Sequence, residues 1–200
     1  MFGILSRNAA LTLAGLSSGL WSTGAQTAVM TPGTRRKRAF RTAPAEATMP
    51  DWDLVRGAEA LRTKGAQILY LFGEVMDFDG KPVQDARVEI SQDGLDGPME
   101  EISETVNFRG QGSMITDPLG LFMFRTILPM SHDGCAPHID ARVARPRGRT
   151  LETQIFLVDA PENEKDWHYQ SLGPSRQAAL SIDPVQRPDG DLEAGFNFVV

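Results

Sequence analysis

Only one cysteine, Cys135, stands among the 200 residues, so neither an intramolecular disulfide framework nor a multi-cysteine zinc site can be built. Histidine and tyrosine are scarce too: His132, His138 and His168, with Tyr70 and Tyr169, are all that the chain offers as imidazole and phenolate. Positive charge is in deficit, 20 Lys+Arg against 26 Asp+Glu for a net charge of −6. That balance argues against nucleic acid as a partner of the whole chain, because such binding rests on clustered cations that neutralise phosphates. Long apolar runs are missing as well. The uncharged stretch Ala9–Trp21 falls far short of the ~20 residues that a membrane-spanning helix needs.

What Ala9–Trp21 does suit is the apolar region of a secretory leader. Arg7 precedes it, and the small residues Thr23–Ala28 follow, so cleavage after Ala25 or Ala28 fits the pattern. The run Ser6–Leu11 is similar to a twin-arginine export signal in which Asn8 takes the place of the second arginine, while a general secretory route needs only one cation. A terminus with no export role is the plain alternative. On this reading residues 1–28 are a signal peptide and the protein is exported, periplasmic or secreted. Residues 29–64 read as a linker that carries Arg35, Arg36, Lys37, Arg38 and Arg41 among prolines, since like charge without apolar periodicity is usually solvated. Within it Leu54, Ala58 and Leu61 sit at the spacing of a short helix, which Gly57 weakens.

From Gly65 the pattern turns to β. Gln67–Met76 is rich in aromatic and β-branched residues and ends in the turn cluster Asp77–Gly80. Ala86–Ser91 alternates, Leu121–Ile127 follows the turn Asp117–Gly120, and Ile139–Ala144, Thr153–Val158 and Phe196–Val200 complete the predicted strands. Short strands between Gly, Pro and Asp turns predict an all-β domain over residues 65–200, an antiparallel sandwich with long loops. The polar stretch Asp159–Pro188 reads as an excursion that returns through the C-terminal strand. His168, within Asp166-Trp167-His168-Tyr169, reads as a surface residue of that excursion, or as part of a cleft lip.

An ordered set of motifs then appears: Gly73-Glu74-Val75, Asp79–Val83, Ala86–Ile90, Phe108–Gly112, Thr116-Asp117, Gly120–Phe122, Phe124–Pro129, Pro137–Asp140 and Leu151–Gln154. In order and spacing this set resembles the intradiol ring-cleavage dioxygenases of the protocatechuate 3,4-dioxygenase type. The resemblance implies a β-sandwich that holds non-haem ferric iron through two tyrosinates and two histidines, where a catechol-like aromatic is opened by O₂. It also allows a homo-oligomer.

Carried over residue by residue, that resemblance puts the first tyrosine position on Met99 and the second on His132, while the histidine pair becomes His138 and Asp140. An arginine close to substrate is replaced by Cys135, and a glutamine near the site is kept as Gln154. Neither Tyr70 nor Tyr169 falls at a ligand position. A thioether is a poor ligand for ferric iron, whereas two imidazoles and a carboxylate form the donor set of iron(II) oxygenases. The expected site is therefore His132, His138 and Asp140 around one point, with Met99 and Cys135 lining the same cavity and Gln154 nearby. Its metal is iron, another divalent ion or none. The competing expectation is a non-catalytic binding module or structural subunit that keeps only the fold.

Overall fold

The structure, a computed structural model, describes residues 29–34, 51–95 and 107–200. The predicted leader, the basic run at 35–41 and Met99 lie outside the described residues.

Two five-stranded sheets face each other. In the first, β1 (Ile68–Met76) is central. It pairs antiparallel with β4 (Leu121–Ile127), and parallel with β9 (Leu192–Gly195) and β10 (Phe198–Val199), while β8 (Val185–Gln186) pairs with β9. The second sheet runs in the order β3 (Gln111–Ile115), β2 (Arg87–Ser91), β5 (His138–Ala144), β6 (Leu151–Leu157), β7 (Ser181–Ile182). The six predicted strands are all present, and the sandwich is the expected one. The sheets are mixed rather than purely antiparallel, because β7, β9 and β10 each join a parallel neighbour. Parallel pairing needs a long crossover, which the excursion after β6 supplies.

Alternation explains which face each strand buries. Leu69, Leu71 and Val75 of β1 point into the core with Phe122 and Phe124 of β4. Opposite them lie Val88 and Ile90 of β2, Ile139, Ala141 and Val143 of β5, and Ile155 of β6. Gly73 is required within β1 because the chain approaches closely there: a Cβ would fall on the backbone carbonyl of Phe196.

The linker expectation for 29–64 needs correction. Leu54, Val55 and Leu61 belong to the core, and Asp51, Asp53 and Val55 bridge to Ser113, Arg125 and Phe108. Helix α1 (Ala58–Thr63) follows, consistent with the helical spacing of Leu54, Ala58 and Leu61. Further upstream, the Thr31 N–H donates to Val199 O at 3.1 Å and the Thr34 N–H to Glu152 O at 3.1 Å. The domain therefore begins before residue 65. Backbone pairing and a few apolar side chains hold this segment, so it shows little periodicity to read.

The excursion folds into a 3₁₀ turn (Pro161–Glu164), α2 (Trp167–Ser171) and α3 (Pro174–Ala179). It covers the outer face of the second sheet, where Asp140 and Gln154 would otherwise meet water, and both are buried. No helix among the described residues is long and apolar enough to cross a membrane.

Candidate functional site

The site begins at a tight turn. Asp133 and Gly134 take φ values of 54° and 75°, and the Cys135 N–H closes the turn on His132 O at 3.0 Å. Positive φ at two successive positions suits Asp followed by Gly. The Ser131 hydroxyl donates to Cys135 O at 2.8 Å. His132 projects from this turn, and its Nε2–H donates to Gly94 O at 3.0 Å, since a carbonyl only accepts.

Just after this turn, Ala136 is held from both sides. Its N–H donates to Asp166 Oδ2 at 2.8 Å, and its carbonyl accepts the Nδ1–H of His138 at 2.7 Å. That second bond fixes the His138 tautomer: in the neutral ring Nε2 is the acceptor, 3.8 Å from Asp140 Oδ1. His138 and Asp140 share one face of β5 because strand side chains alternate. Directly across the ladder from Asp140 lies Gln154, whose Nε2 donates to Asp140 Oδ1 at 3.0 Å. The Gln154 carbonyl in turn accepts the Nε2–H of His168 at 2.8 Å.

Helix α2 is positioned for this contact by its N-cap. Asp166 Oδ1 accepts from the N–H groups of His168 at 2.7 Å and Tyr169 at 3.2 Å. Its other oxygen reaches Ala136, so one carboxylate ties α2 to the turn that carries His138. Phe156 packs between the two layers, its ring centroid 5.7 Å from that of His138 and 4.9 Å from that of Tyr169. His168 is thus not a surface residue: it is buried at 6% exposure, while its neighbour Trp167 is 79% exposed and meets it edge-on. In the next row of the sheet, buried Glu89 sits between Arg142 at 3.1 Å and Arg87 at 3.4 Å.

The structure thus brings His138, Asp140 and Gln154 together and adds His168. It directs Nε2 of His132 to Gly94 O and places Cys135 at the end of the turn. Among the described residues, no group of three or more His, Cys, Asp or Glu side chains is arranged to hold a metal ion. Both tyrosines are placed elsewhere. Tyr70 lies under the Arg187 guanidinium, 4.6 Å from the ring centroid, and the Tyr169 hydroxyl lies 3.5 Å from Ser181 Oγ.

A family model described as Dioxygenase matches residues 43–166, more than half of the chain. The chain belongs to the intradiol ring-cleavage dioxygenase family. Among curated members of this family, catechol 1,2-dioxygenase of Acinetobacter baylyi is 30% identical over 156 residues, covering 64% of this chain and 48% of that protein. Hydroxyquinol 1,2-dioxygenase of Corynebacterium glutamicum is 29% identical over 131 residues, covering 56% of this chain and 41% of that protein. This intradiol-family chain therefore spans about half the length of these relatives. Among solved structures, the dioxygenase domain of a dioxygenase–carbohydrate-binding fusion from Streptomyces sp. SirexAA-E superposes with a TM-score of 0.65 at 22% identity, covering 86% of this chain and 98% of that one. Catechol 1,2-dioxygenase from Acinetobacter sp. ADP1, inhibited by bound mercury, gives 0.58 at 25% identity, covering 73% and 55%.

The iron that the family implies can now be tested against these donors. A ferric centre of the implied kind asks for phenolates, which as hard anions stabilise that oxidation state. Neither tyrosine reaches the positions concerned. His132 points Nε2 at a backbone carbonyl. The residues present do not fit a tyrosinate-bound ferric ion.

Proposed function

We propose that this intradiol-fold protein binds a catechol-type aromatic and does not open its ring by the ferric route of the family. The carrying observation is the acceptor pair on β5. In the neutral ring His138 Nε2 has a lone pair and no proton, and Asp140 Oδ1 faces it at 3.8 Å. Oδ1 already accepts from Gln154 Nε2, and a carboxylate oxygen has capacity for more than one donor, so the pair suits two adjacent donors. A vicinal dihydroxy arene supplies them, one hydroxyl to each acceptor, and relatives of this chain are named for catechol and hydroxyquinol, which carry that diol. Two such bonds, one of them to a charged group, with partial burial of the ring, support a Kd of about 0.1–1 mM. Export of the chain forms part of the same proposal, supported by Ala9–Trp21 and the small residues that follow.

The test is made on purified protein incubated with ferric iron and then dialysed. No visible charge-transfer band and no O₂ uptake with catechol or hydroxyquinol are expected, together with saturable catechol binding by calorimetry in EDTA. A red-brown band accompanied by O₂ consumption would overturn the reading.

A second reading rests on one feature of His138. A ring whose Nδ1–H is held by a carbonyl offers Nε2 in the tautomer that metals use, so a divalent ion held by His138 and Asp140 is the competitor. Calorimetry with Fe(II), Zn(II) and Mn(II) on the wild type and on His138→Ala separates the two. Heats with the wild type that vanish in the variant would favour the metal.

A further inference from the structure

We propose that His168, on α2, is a positioning residue that sets the direction of the Asp140 carboxylate through the side-chain amide of Gln154. For its effect on ligand choice this rests on the catechol-binding reading above. The two ends of the Gln154 amide differ: its oxygen only accepts and its nitrogen only donates. The Asp140 carboxylate only accepts, so the NH₂ end faces it and donates at 3.0 Å, and Oε1 is left to accept the Nε2–H of His168 at 2.8 Å.

Without the imidazole donor the buried amide oxygen of Gln154 loses its partner, and only the carboxylate is left to hold the amide. The amide then turns to find a donor for Oε1, and the direction from which its NH₂ group meets the carboxylate shifts. Burial sharpens the effect: Gln154 is 1% exposed, Asp140 4% and His168 6%, so water is poorly placed to substitute for a lost partner. The other determinants of the site are fixed independently, because the ring of His138 is held by Ala136 O and α2 by its Asp166 cap. His168 therefore acts on the carboxylate half of the acceptor pair, through the amide it holds. A ligand that uses both acceptors depends on His168, and a ligand that uses only one depends on it less.

The test compares the wild type with His168→Phe, which keeps a ring and loses the donor, and His168→Gln, which restores a donor. Two readouts are taken in EDTA. Nitrogen-15 NMR follows the imidazole of His138 and the side-chain amide of Gln154. Calorimetry compares catechol with guaiacol, whose methyl ether removes one donor. In His168→Phe the Gln154 and His138 resonances should move, and the preference for catechol over guaiacol should fall roughly tenfold, the loss expected for one well-placed hydrogen bond. Guaiacol affinity should hold, and His168→Gln should recover part of the preference.

Unmoved His138 and Gln154 resonances in a folded His168→Phe would overturn the proposal. So would an equal loss of both ligands that follows the melting temperature and is not rescued by His168→Gln. If the wild type binds neither ligand, the catechol-binding reading fails by itself and the resonances alone decide the relay. If His168→Phe does not fold, the wild-type spectrum decides: the relay requires His168 protonated on Nε2 and His138 on Nδ1, and His168 protonated on Nδ1 alone would overturn it.

Discussion

Asp166→Ala is the most direct test of how the site is assembled, because one carboxylate serves two structures at once. Oδ1 caps α2 through His168 and Tyr169, and Oδ2 holds the Ala136 N–H beside the His138 turn. Loss of an N-cap of this type costs about 1 kcal/mol. A buried N–H deprived of a charged acceptor costs about 1.5–3 kcal/mol, offset in part because the carboxylate no longer has to be desolvated. The combined expectation is a loss of about 2–4 kcal/mol, a large share of the ~5–15 kcal/mol that holds a domain of ordinary stability.

Urea unfolding followed by circular dichroism measures the loss as a lower midpoint at unchanged m-value. Amide exchange should accelerate at Ala136, His168 and Tyr169 ahead of the core strands. Asp166→Asn discriminates between the two roles. Its oxygen can still cap α2, but its NH₂ would face the Ala136 N–H, donor against donor, so it should recover only the capping share. A loss below about 1 kcal/mol for the alanine variant, or full stability for the asparagine variant, would refute the account of a shared anchor.

Gly73→Ala should destabilise the fold by at least about 2 kcal/mol in the same assay, because the added Cβ meets the backbone carbonyl of Phe196, between β9 and β10, rather than a flexible side chain. Glu74 titrates above the usual carboxylate range, through burial first and then the nearby Asp117 charge. Its folded form therefore binds its proton more tightly than the unfolded chain does. Stability should fall as pH rises through the interval just above 4.5, and Glu74→Gln should melt higher than the wild type at pH 7 but not at pH 4. A chain that starts at Asp51 should fold with reduced stability, having lost the Thr31 and Thr34 bonds, whereas one that starts at Gly65 loses Leu54, Val55 and Leu61 from the core and should fail to give a cooperative melt.

The fold was legible where residue chemistry and strand period agree. Leu121–Ile127 alternates with aromatic side chains and forms a strand over those same residues. Gln111–Ile115 was not legible as a strand, since Gln, Gly and Ser carry little β preference; backbone pairing with β2 and the bridge from Asp51 to Ser113 hold it. Leu54, Val55 and Leu61 escaped for a related reason. Three apolar residues on an irregular segment have no period, and their burial depends on a sheet that is assembled from distant sequence.

The site divides along the same line. His138 and Asp140 could be placed on one face because a strand has period two, and Gln154 faces Asp140 across the ladder. His168 could not be placed that way, although Asp166 ahead of Trp167-His168-Tyr169 is an N-cap signature that could have marked the start of α2. A helix of a single turn does not stabilise itself, so α2 exists because Asp166 also binds Ala136 and Tyr169 packs on Phe156. The direction in which His168 points is therefore a property of the assembled sheet rather than of its own segment. The family resemblance puts ligand positions on Met99, which lies outside the described residues, and on His132 and Asp140, whose setting only the assembled fold gives. As isolated letters they describe a metal site with donors missing. In the fold, Asp140 is joined to Gln154 and His168, and Nε2 of His132 is bound to Gly94 O. Two of the three side chains are thus hydrogen-bonded partners within the protein.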